Sequence, residues 1–352
     1  MKIAVVGAGT SGLLCSFKLK ENGHDVYLFD KNEKVGRKIY ITGKGRCNLT
    51  NNCSWNDFFD NVVTNSKFLY SAYSNWNSQD TMDFFEANGV PLITERGNRV
   101  FPKSYKASDI VDALYRLNKN SGVILKLGES VTKIYKNCEV FILETSKNRY
   151  EFDKIIIATG GSSYSHTGST GDGYVFAKQF GHSITKIVPG LCALKVQETI
   201  PPMMYGFTQK NVTLSVETPF TKIQEFGEIT FYKEGLSGPI SLTVSSQINK
   251  VENKNIKLEI DFKPALSEER LNQRIIRESQ DSKNHTVEDL LHKLLPSKVL
   301  PWFLKVSKIV PVSEVKNLKK ETREEMVHWL KHFTLTYQGL DDIERAIITS
   351  GG

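Results

Sequence analysis

The chain of 352 residues has no apolar run of the roughly 20 residues that a membrane-spanning helix needs. It has few cysteines. Cys15, Cys47, Cys53, Cys138 and Cys192 are scattered and odd in number, and no C-x-x-C pair occurs. That excludes a disulfide framework and a cysteine-based zinc site, and it fits a reducing cytoplasm. An export signal is not expected either. Gly7, Gly9 and Gly12 break the apolar opening Met1 to Val6, and Lys18 and Lys20 follow without a small-residue cleavage site. Neither sign of charge dominates. The surplus of +7 suits an anionic ligand but equally a solvated surface, and the basic run Lys316, Lys319, Lys320 is answered at once by Glu321, Glu324 and Glu325. Internal repeats and low-complexity tracts are absent, and 39% hydrophobic with 24% charged residues describes an ordinary globular chain of two or three lobes.

What is there begins as strand, glycine turn, helix, strand. Residues 2 to 6 are apolar and β-prone. Leu13, Leu14 and Phe17 then fall on one helical face, Asn22-Gly23 reads as a helix stop, and Val26 to Phe29 form a second strand ending on Asp30. This is the first half of a parallel α/β unit. Residues 31 to 54 are polar, glycine-rich and aperiodic. Helical patterns follow around 66 to 88 and 108 to 119, the second with Ser108-Asp109 as its cap. Strand-like segments come at 122 to 127, 130 to 136, 138 to 145 and 149 to 152, and Ile155 to Ala158 reads as a buried parallel strand. A glycine- and serine-rich stretch, 160 to 173, leads into a helix at 174 to 180. Composition shifts near Pro189-Gly190, with β-like alternation to about 264 and helical patterning from 265 to 335. We therefore expect residues 1–189 and 336–352 to form a nucleotide-binding domain and 190–335 to form an inserted lobe.

Gly7-Ala8-Gly9-Thr10-Ser11-Gly12 is G-x-G-x-x-G placed after a strand and opening a helix. Gly7 permits the tight turn, Gly9 lets a pyrophosphate reach the backbone, and Gly12 lets helix and strand pack closely. The helix N-terminus, including Thr10 and Ser11, offers unpaired N–H groups. Asp30, 23 residues after Gly7 and followed by Lys31, would accept hydrogen bonds from an adenosine ribose and repel a 2′-phosphate. The motif leaves FAD and NAD both open. Further on, Arg37, Lys38, Lys44 and Arg46 place four cations after the turn, suited to a pyrophosphate or to flavin carbonyls. Gly43 and Gly45 would let backbone N–H groups approach a planar ring, and Asn48 and Asn51 would bond ring edges.

Residues 36 to 52, GRKIYITGKGRCNLTNN, resemble the G-R-K-x-x-x-[ST]-G-x-G-R-C-N-x-T-N signature of the HI0933-like flavoproteins. Arg99-Val100-Phe101-Pro102, Ala158-Thr159-Gly160-Gly161, the stretch Gly168 to Tyr174 and Gly235-Leu236-Ser237-Gly238-Pro239 agree with the same family, and the resemblance runs the length of the chain. It implies an α/β fold: a Rossmann-like FAD-binding domain of the two-dinucleotide-binding type, with an inserted β-rich and helical lobe that covers the flavin. It implies FAD as cofactor, with Gly45 to Asn48 and Ala158 to Gly160 at the ring, Val131 against the adenine, and the turn at 170–173 approaching the flavin. The activity implied is hydride transfer between transient NAD(P)H and a small organic substrate, since no second G-x-G-x-x-G is present to hold a resident nicotinamide. In that family the element Ala346 to Gly352 is followed by a further flavin-contacting segment, which the sequence does not contain, so a less complete cage is expected.

Arg46, Asn48 and Cys47 are the catalytic candidates. For Cys47 a packing role is preferred over a redox role because no partner cysteine has reductase spacing. His166, alone in its loop, ranks low as a general acid. A flavoprotein acting on RNA is the rival class, but the sequence shows no aromatic-interleaved basic patch in its favour. A protein that has kept the fold and lost flavin is a third.

Overall fold

The computed structural model describes residues 1–218, 222–251, 256–281, 285–311 and 314–352. The chain folds as two compact units, 1–187 with 351–352, and 188–350. Among the described residues no helix is long and apolar enough to cross a membrane.

The first unit is built on a parallel sheet. Strand β1 (Lys2–Val6) leads through helix α1 (Thr10–Glu21) to β2 (Asp25–Asp30). A long excursion then carries β3 (Thr50–Asn51), helices α2 (Trp55–Asp60), α3 (Tyr70–Asn75) and α4 (Ser78–Ala87), strands β4 (Leu92–Glu95) and β5 (Arg99–Pro102), and α5 (Ala107–Ser121). The chain returns through β6 (Ile124–Leu127), β7 (Val131–Asn137), β8 (Val140–Thr145), β9 (Arg149–Phe152), β10 (Lys154–Ile157) and α6 (Asp172–Gln179). The parallel sheet runs β10-β1-β2-β6. A three-stranded antiparallel sheet, β7-β8-β9, and a second one, β3-β5-β4, stand beside it.

Alternation along the strands feeds two cores, as a pleated sheet covered on both faces requires. Val5, Val26 and Leu28 pack with Leu13, Ile110 and Leu114 of α1 and α5, while Ala4, Val6 and Phe29 pack with Leu143 and Phe152. Burying side chains of this size contributes on the order of 1.5–3 kcal/mol each before entropy is counted.

Several sequence expectations need correction. The helical stretch at 66 to 88 is broken: α3 stops at Asn75, Trp76 is extended, and Asn77 caps α4 by accepting from Gln79 and Asp80 in a capping box. Helix α5 starts at Ala107, so Ser108 and Asp109 sit in its first turn and not at its cap; Asp109 there complements the helix dipole. Strand β10 is parallel as expected, but it is an edge strand, and Ile157 is 39% exposed at the sheet's end.

The second unit holds β11 (Val188–Gly190), β12 (Leu194–Val196), β13 (Thr208–Glu217), β14 (Lys222–Tyr232), β15 (Gly235–Ser237), α7 (Pro239–Ile248) and β16 (Lys257–Asp261). Helices α8 (Glu268–Ser279), α9 (Val287–His292), α10 (Leu300–Ser307) and α11 (Lys320–Lys331) precede β17 (Phe333–Leu340) and β18 (Ile348–Ser350). Six strands close into an antiparallel barrel in the order β12-β15-β14-β13-β16-β17. Val212, Leu214 and Val216, Leu258 and Ile260, and Phe333, Leu335 and Tyr337 fill it at strand period, and Trp302 packs on Phe333 and Phe231 with centroids 5.0 and 5.6 Å apart. At residue 336, where the sequence suggests a return to the first domain, the chain is in mid-strand inside this barrel. Only Gly351 and Gly352 belong with the first unit. Residues 282–284 and 312–313 of the expected helical stretch lie outside the described residues.

A charged clasp holds the C-terminal end of α11. Lys331 pairs with Asp261 at 2.6 Å, and His332 directs Nδ1 at Glu259 (3.1 Å) and Nε2 at Glu268 (3.0 Å). Both ring nitrogens can donate only in the imidazolium form. Burial alone would lower the His332 pKa, but the two carboxylates outweigh it and raise it. A raised folded-state pKa contributes stability that is complete below the unfolded value and fades as pH climbs through the folded one. The ring is partly exposed, so the contribution is on the order of 1 kcal/mol or less. We expect the melting-temperature advantage of the native chain over His332→Gln to be largest below the ordinary histidine pKa of 6.5 and to fade as the pH rises above it. Melting curves that stay parallel across that rise would show the clasp to be inert.

Candidate functional site

The C-terminal ends of β1, β2 and β10 open into a cleft of about 720 Å³, a size suited to a large cofactor. Its floor is the glycine turn. Gly7 has φ +109°, and a Cβ there would run into the Ala158 carbonyl of the neighbouring strand's end; a Cβ on Gly12 would strike the Gly7 carbonyl. These two glycines exist so that β1, α1 and the end of β10 can touch. Gly9 is different. A Cβ there would meet nothing within 4 Å, because the position faces the open cleft. No side chain caps α1, so the N–H groups of its first turn are left to the cleft.

Asp30 braces this floor. Its Oδ2 accepts from the Ala8 amide at 2.7 Å and its Oδ1 accepts from the Asn32 amide at 2.8 Å and the Asn32 side chain at 2.9 Å. The glycine turn and the end of β2 are thereby locked together, with the carboxylate on the cleft wall. Beyond β2 the wall continues onto the residues after β6: Glu129, Ser130 and Val131. On the other side stand Ala158, Thr159 and Gly160, and the far end is formed by Thr42, Cys47, Asn48 and Leu49. Cys15, of the first helix, also reaches the cleft; the sequence offers no signal that would single it out.

Of the sequence-selected residues, Gly7, Gly9, Thr10, Ser11, Asp30, Lys31, Arg37, Lys38, Cys47, Asn48, Val131, Ala158, Thr159 and Gly160 meet on this one cleft. Gly12 lies beneath it as a packing position. Gly45 and Arg46 do not line it. The Arg46 guanidinium lies over the Phe101 ring at 4.5 Å and pairs with Glu95 at 3.3 Å. Glu95 also receives the Tyr105 hydroxyl at 3.0 Å and faces Arg99 at 3.8 Å. His166 is exposed and is not on the cleft wall.

Of the cations read as ligand-binding, Lys44 is exposed, and the others are engaged with the protein. Lys31 pairs with Asp172 at 2.7 Å and donates to Thr170, and Lys38 donates to the Ser163 carbonyl at 2.8 Å. Arg37 donates to the Asn32 side-chain oxygen at 2.6 Å. Burial works against the ionised Asp172 carboxylate, but the Lys31 and Thr170 hydrogen bonds prevail and hold its pKa below the usual range. These contacts stitch the 31–38 segment to the 163–172 loop.

The 43–47 segment is a run of left-handed backbone: Gly43 at φ +55°, Lys44 at +59°, Gly45 at +84° and Cys47 at +58°. The glycine spacing therefore serves chain reversal, at a cost of about 1 kcal/mol or more for each non-glycine residue so held. What over-determines it is the Arg46 pin, together with the Cys47 amide donating to Thr42 at 3.1 Å. Burial pushes the Cys47 thiol pKa up, against a lowering hydrogen bond from Thr42, so the packing reading of this cysteine fits and a standing thiolate does not.

These features fit a dinucleotide: a helix N-terminus and side-chain-free Gly9 for a pyrophosphate, a carboxylate one strand away for a ribose, and a far wall of Thr42, Cys47, Asn48 and Leu49 for a planar ring. The profile of the HI0933-like protein Rossmann domain matches residues 1–352. The 3-dehydro-bile acid delta(4,6)-reductase of Clostridium scindens is 24% identical over 100% of this chain and 86% of its own length. The ribosomal RNA dihydrouridine synthases of Haemophilus influenzae and Escherichia coli are 28% and 26% identical, each over 99% of this chain and 84% of theirs. The cleft and the full-length match lead to one conclusion: the chain belongs to the HI0933-like family of Rossmann-fold, FAD-dependent oxidoreductases.

Proposed function

We propose that this chain is a reductase that takes a hydride from transiently bound NAD(P)H and delivers it to a small organic substrate, working in a reducing cytoplasm. The observation that carries the reading is the open N-terminus of α1 with Gly9 facing free space and Asp30 locked beside it. All five cysteines are free, which supports the reducing setting. Bound FAD would supply the two-electron chemistry that no side chain can. The α1 amides from Thr10 and Ser11 would hold the pyrophosphate, Asp30 the ribose hydroxyls, and Val131 the adenine. Thr42, Cys47 and Asn48, with Ala158 to Gly160, would hold the ring end and orient it.

A first test is direct. The purified chain should show a two-band flavin spectrum and release FAD near one per chain on heating. A protein that remains colourless after incubation with excess FAD would sink the reading.

Arg46 is assigned a positioning role, through the loop that presents Cys47 and Asn48. Arg46→Ala should weaken FAD binding about tenfold, on the order of 1.4 kcal/mol. Arg46→Lys should rescue it only in part, because lysine lacks the planar face that stacks on Phe101. Glu95→Gln should weaken it in the same direction without touching the cleft. Fluorescence titration of the apoprotein reads all three. Full FAD affinity in Glu95→Gln beside a loss in Arg46→Lys would instead point to direct contact with the cofactor.

A second reading, in which the reducible substrate is a nucleoside within RNA, has one specific observation behind it. Around the β3-β5-β4 sheet Arg46, Arg99 and Tyr105 share the single carboxylate of Glu95, and Arg96, Lys103 and Lys106 are exposed alongside. This is the cation and aromatic mixture that the sequence pattern did not reveal, and two relatives carry an RNA-directed name. Ribosomal RNA should then bind with a steep loss of affinity between about 50 and 200 mM salt. No binding at the lower salt would remove this reading and leave the small-molecule one.

A further inference from the structure

Glu129 is 4% exposed, and nothing in the assignments above uses it. It follows β6, its amide donates to the Asp30 carbonyl at 2.9 Å, and it lines the cleft. Two hydroxyls reach its carboxylate, Thr145 at 2.6 Å and Tyr150 at 2.9 Å, and both go to Oε1. Among the described residues Oε2 takes no hydrogen bond. Yet it is not among the sealed, unpartnered atoms of the interior, so it reaches open space. A carboxylate oxygen is only an acceptor, and one kept from water without a donor is costly. Thr145 and Tyr150 hold the side chain by one oxygen and leave the other for a ligand.

Strand order says which part of a ligand that is. Along β10-β1-β2-β6 the pyrophosphate position lies over β1, the ribose acceptor Asp30 ends β2, and Glu129 follows β6, one strand further out. A dinucleotide laid across these ends brings its base to residues 129–131. We infer that Glu129 selects the base of the cofactor: its Oε2 accepts from the 6-amino group of adenine and disfavours a 6-oxo purine, whose carbonyl would face the carboxylate with no proton between them. The inference rests on the FAD reading and adds a base-specificity determinant to it. Asp30 would inspect the sugar, and Glu129 the ring.

The test compares FAD with its analogue in which hypoxanthine replaces adenine, each titrated into the apoprotein by flavin fluorescence, for the native chain and for Glu129→Gln. The native chain should prefer FAD at least about tenfold, the value of one good hydrogen bond against an acceptor clash. In Glu129→Gln the amide can donate to the 6-oxo group, so the preference should fall to within about threefold, chiefly by tighter binding of the hypoxanthine analogue. A purely structural brace between Thr145 and Tyr150 would weaken both ligands alike and leave their ratio unchanged, which would overturn the inference. Equal binding of the two by the native chain would overturn it as well, with the FAD reading intact. Failure of the native chain to bind FAD at all would remove both.

Discussion

The first unit depends on backbone touching backbone where side chains would normally stand. Gly7 and Gly12 bring the end of β1, the first turn of α1 and the Ala158 carbonyl into direct contact, and a methyl group at either would force them apart. Every other feature of the cleft is registered to that contact. Asp30 reaches the Ala8 amide only because the turn is this tight. The α1 N-terminus points its free amides over the sheet because only three residues separate the end of the strand from the start of the helix. Both sheet faces are already filled by α1 with α5 and by the β7-β8-β9 sheet, so the strand ends are where a ligand can enter.

A second layer of organisation uses charges to hold loops. Lys31, Arg37, Lys38 and Arg46 all come soon after the glycine turn, and all four end on protein atoms. Cross-links of this kind are worth little individually at a surface, but together they restrain segments with few apolar contacts of their own. The 43–47 run has the greatest need of it. Positive φ at Lys44 and Cys47 is unfavourable in isolation, and the Arg46 side chain lying on Phe101 keeps the loop from relaxing into extended backbone. The density of glycine and cation in this segment is therefore architecture first, and Cys47 and Asn48 are the residues it presents on the cleft side.

How much of this was legible in the sequence follows from the range of the interactions involved. The glycine turn, α1, β2 and Asp30 are local, their spacing is set by one strand, one helix and one turn, and the structure has them where the residues suggested. Cooperation between distant segments was not legible. Nothing in the string says that Arg46 stacks on a ring 55 residues later, or that the Lys31 ammonium meets Asp172. The same holds for Glu129, whose place on the cleft comes from strand order and whose orientation comes from Thr145 and Tyr150 on the neighbouring sheet. The barrel was half visible: alternation marked its strands, but closure through β12 and β17, with the chain still in mid-strand at 336, depends on pairings no local pattern encodes. Boundaries failed where caps decide them, as at Asn77, whose side chain restarts a helix that periodicity alone runs through.

The pattern of charge along the strand ends gives the cleft a direction. At the α1 end the field comes from unpaired amides and is positive, and no side-chain cation is needed to receive a pyrophosphate. One strand across is the Asp30 carboxylate, and another strand across is Glu129, so the wall turns acceptor-rich within the width of two strands. A ligand suited to that order carries its negative charge in the middle and hydrogen-bond donors at one end. On the proposed binding mode a sugar phosphorylated at the 2′ position would meet repulsion from Asp30, as would a base presenting only acceptors from Glu129. Three of the four cations on the wall, Lys31, Lys38 and Arg37, are committed to Asp172, to Ser163 and to Asn32, and the fourth, Lys34, is exposed. A chain with a net surplus of positive charge thus sets two carboxylates side by side on its cleft wall while most of the nearby cations are engaged by its own loops.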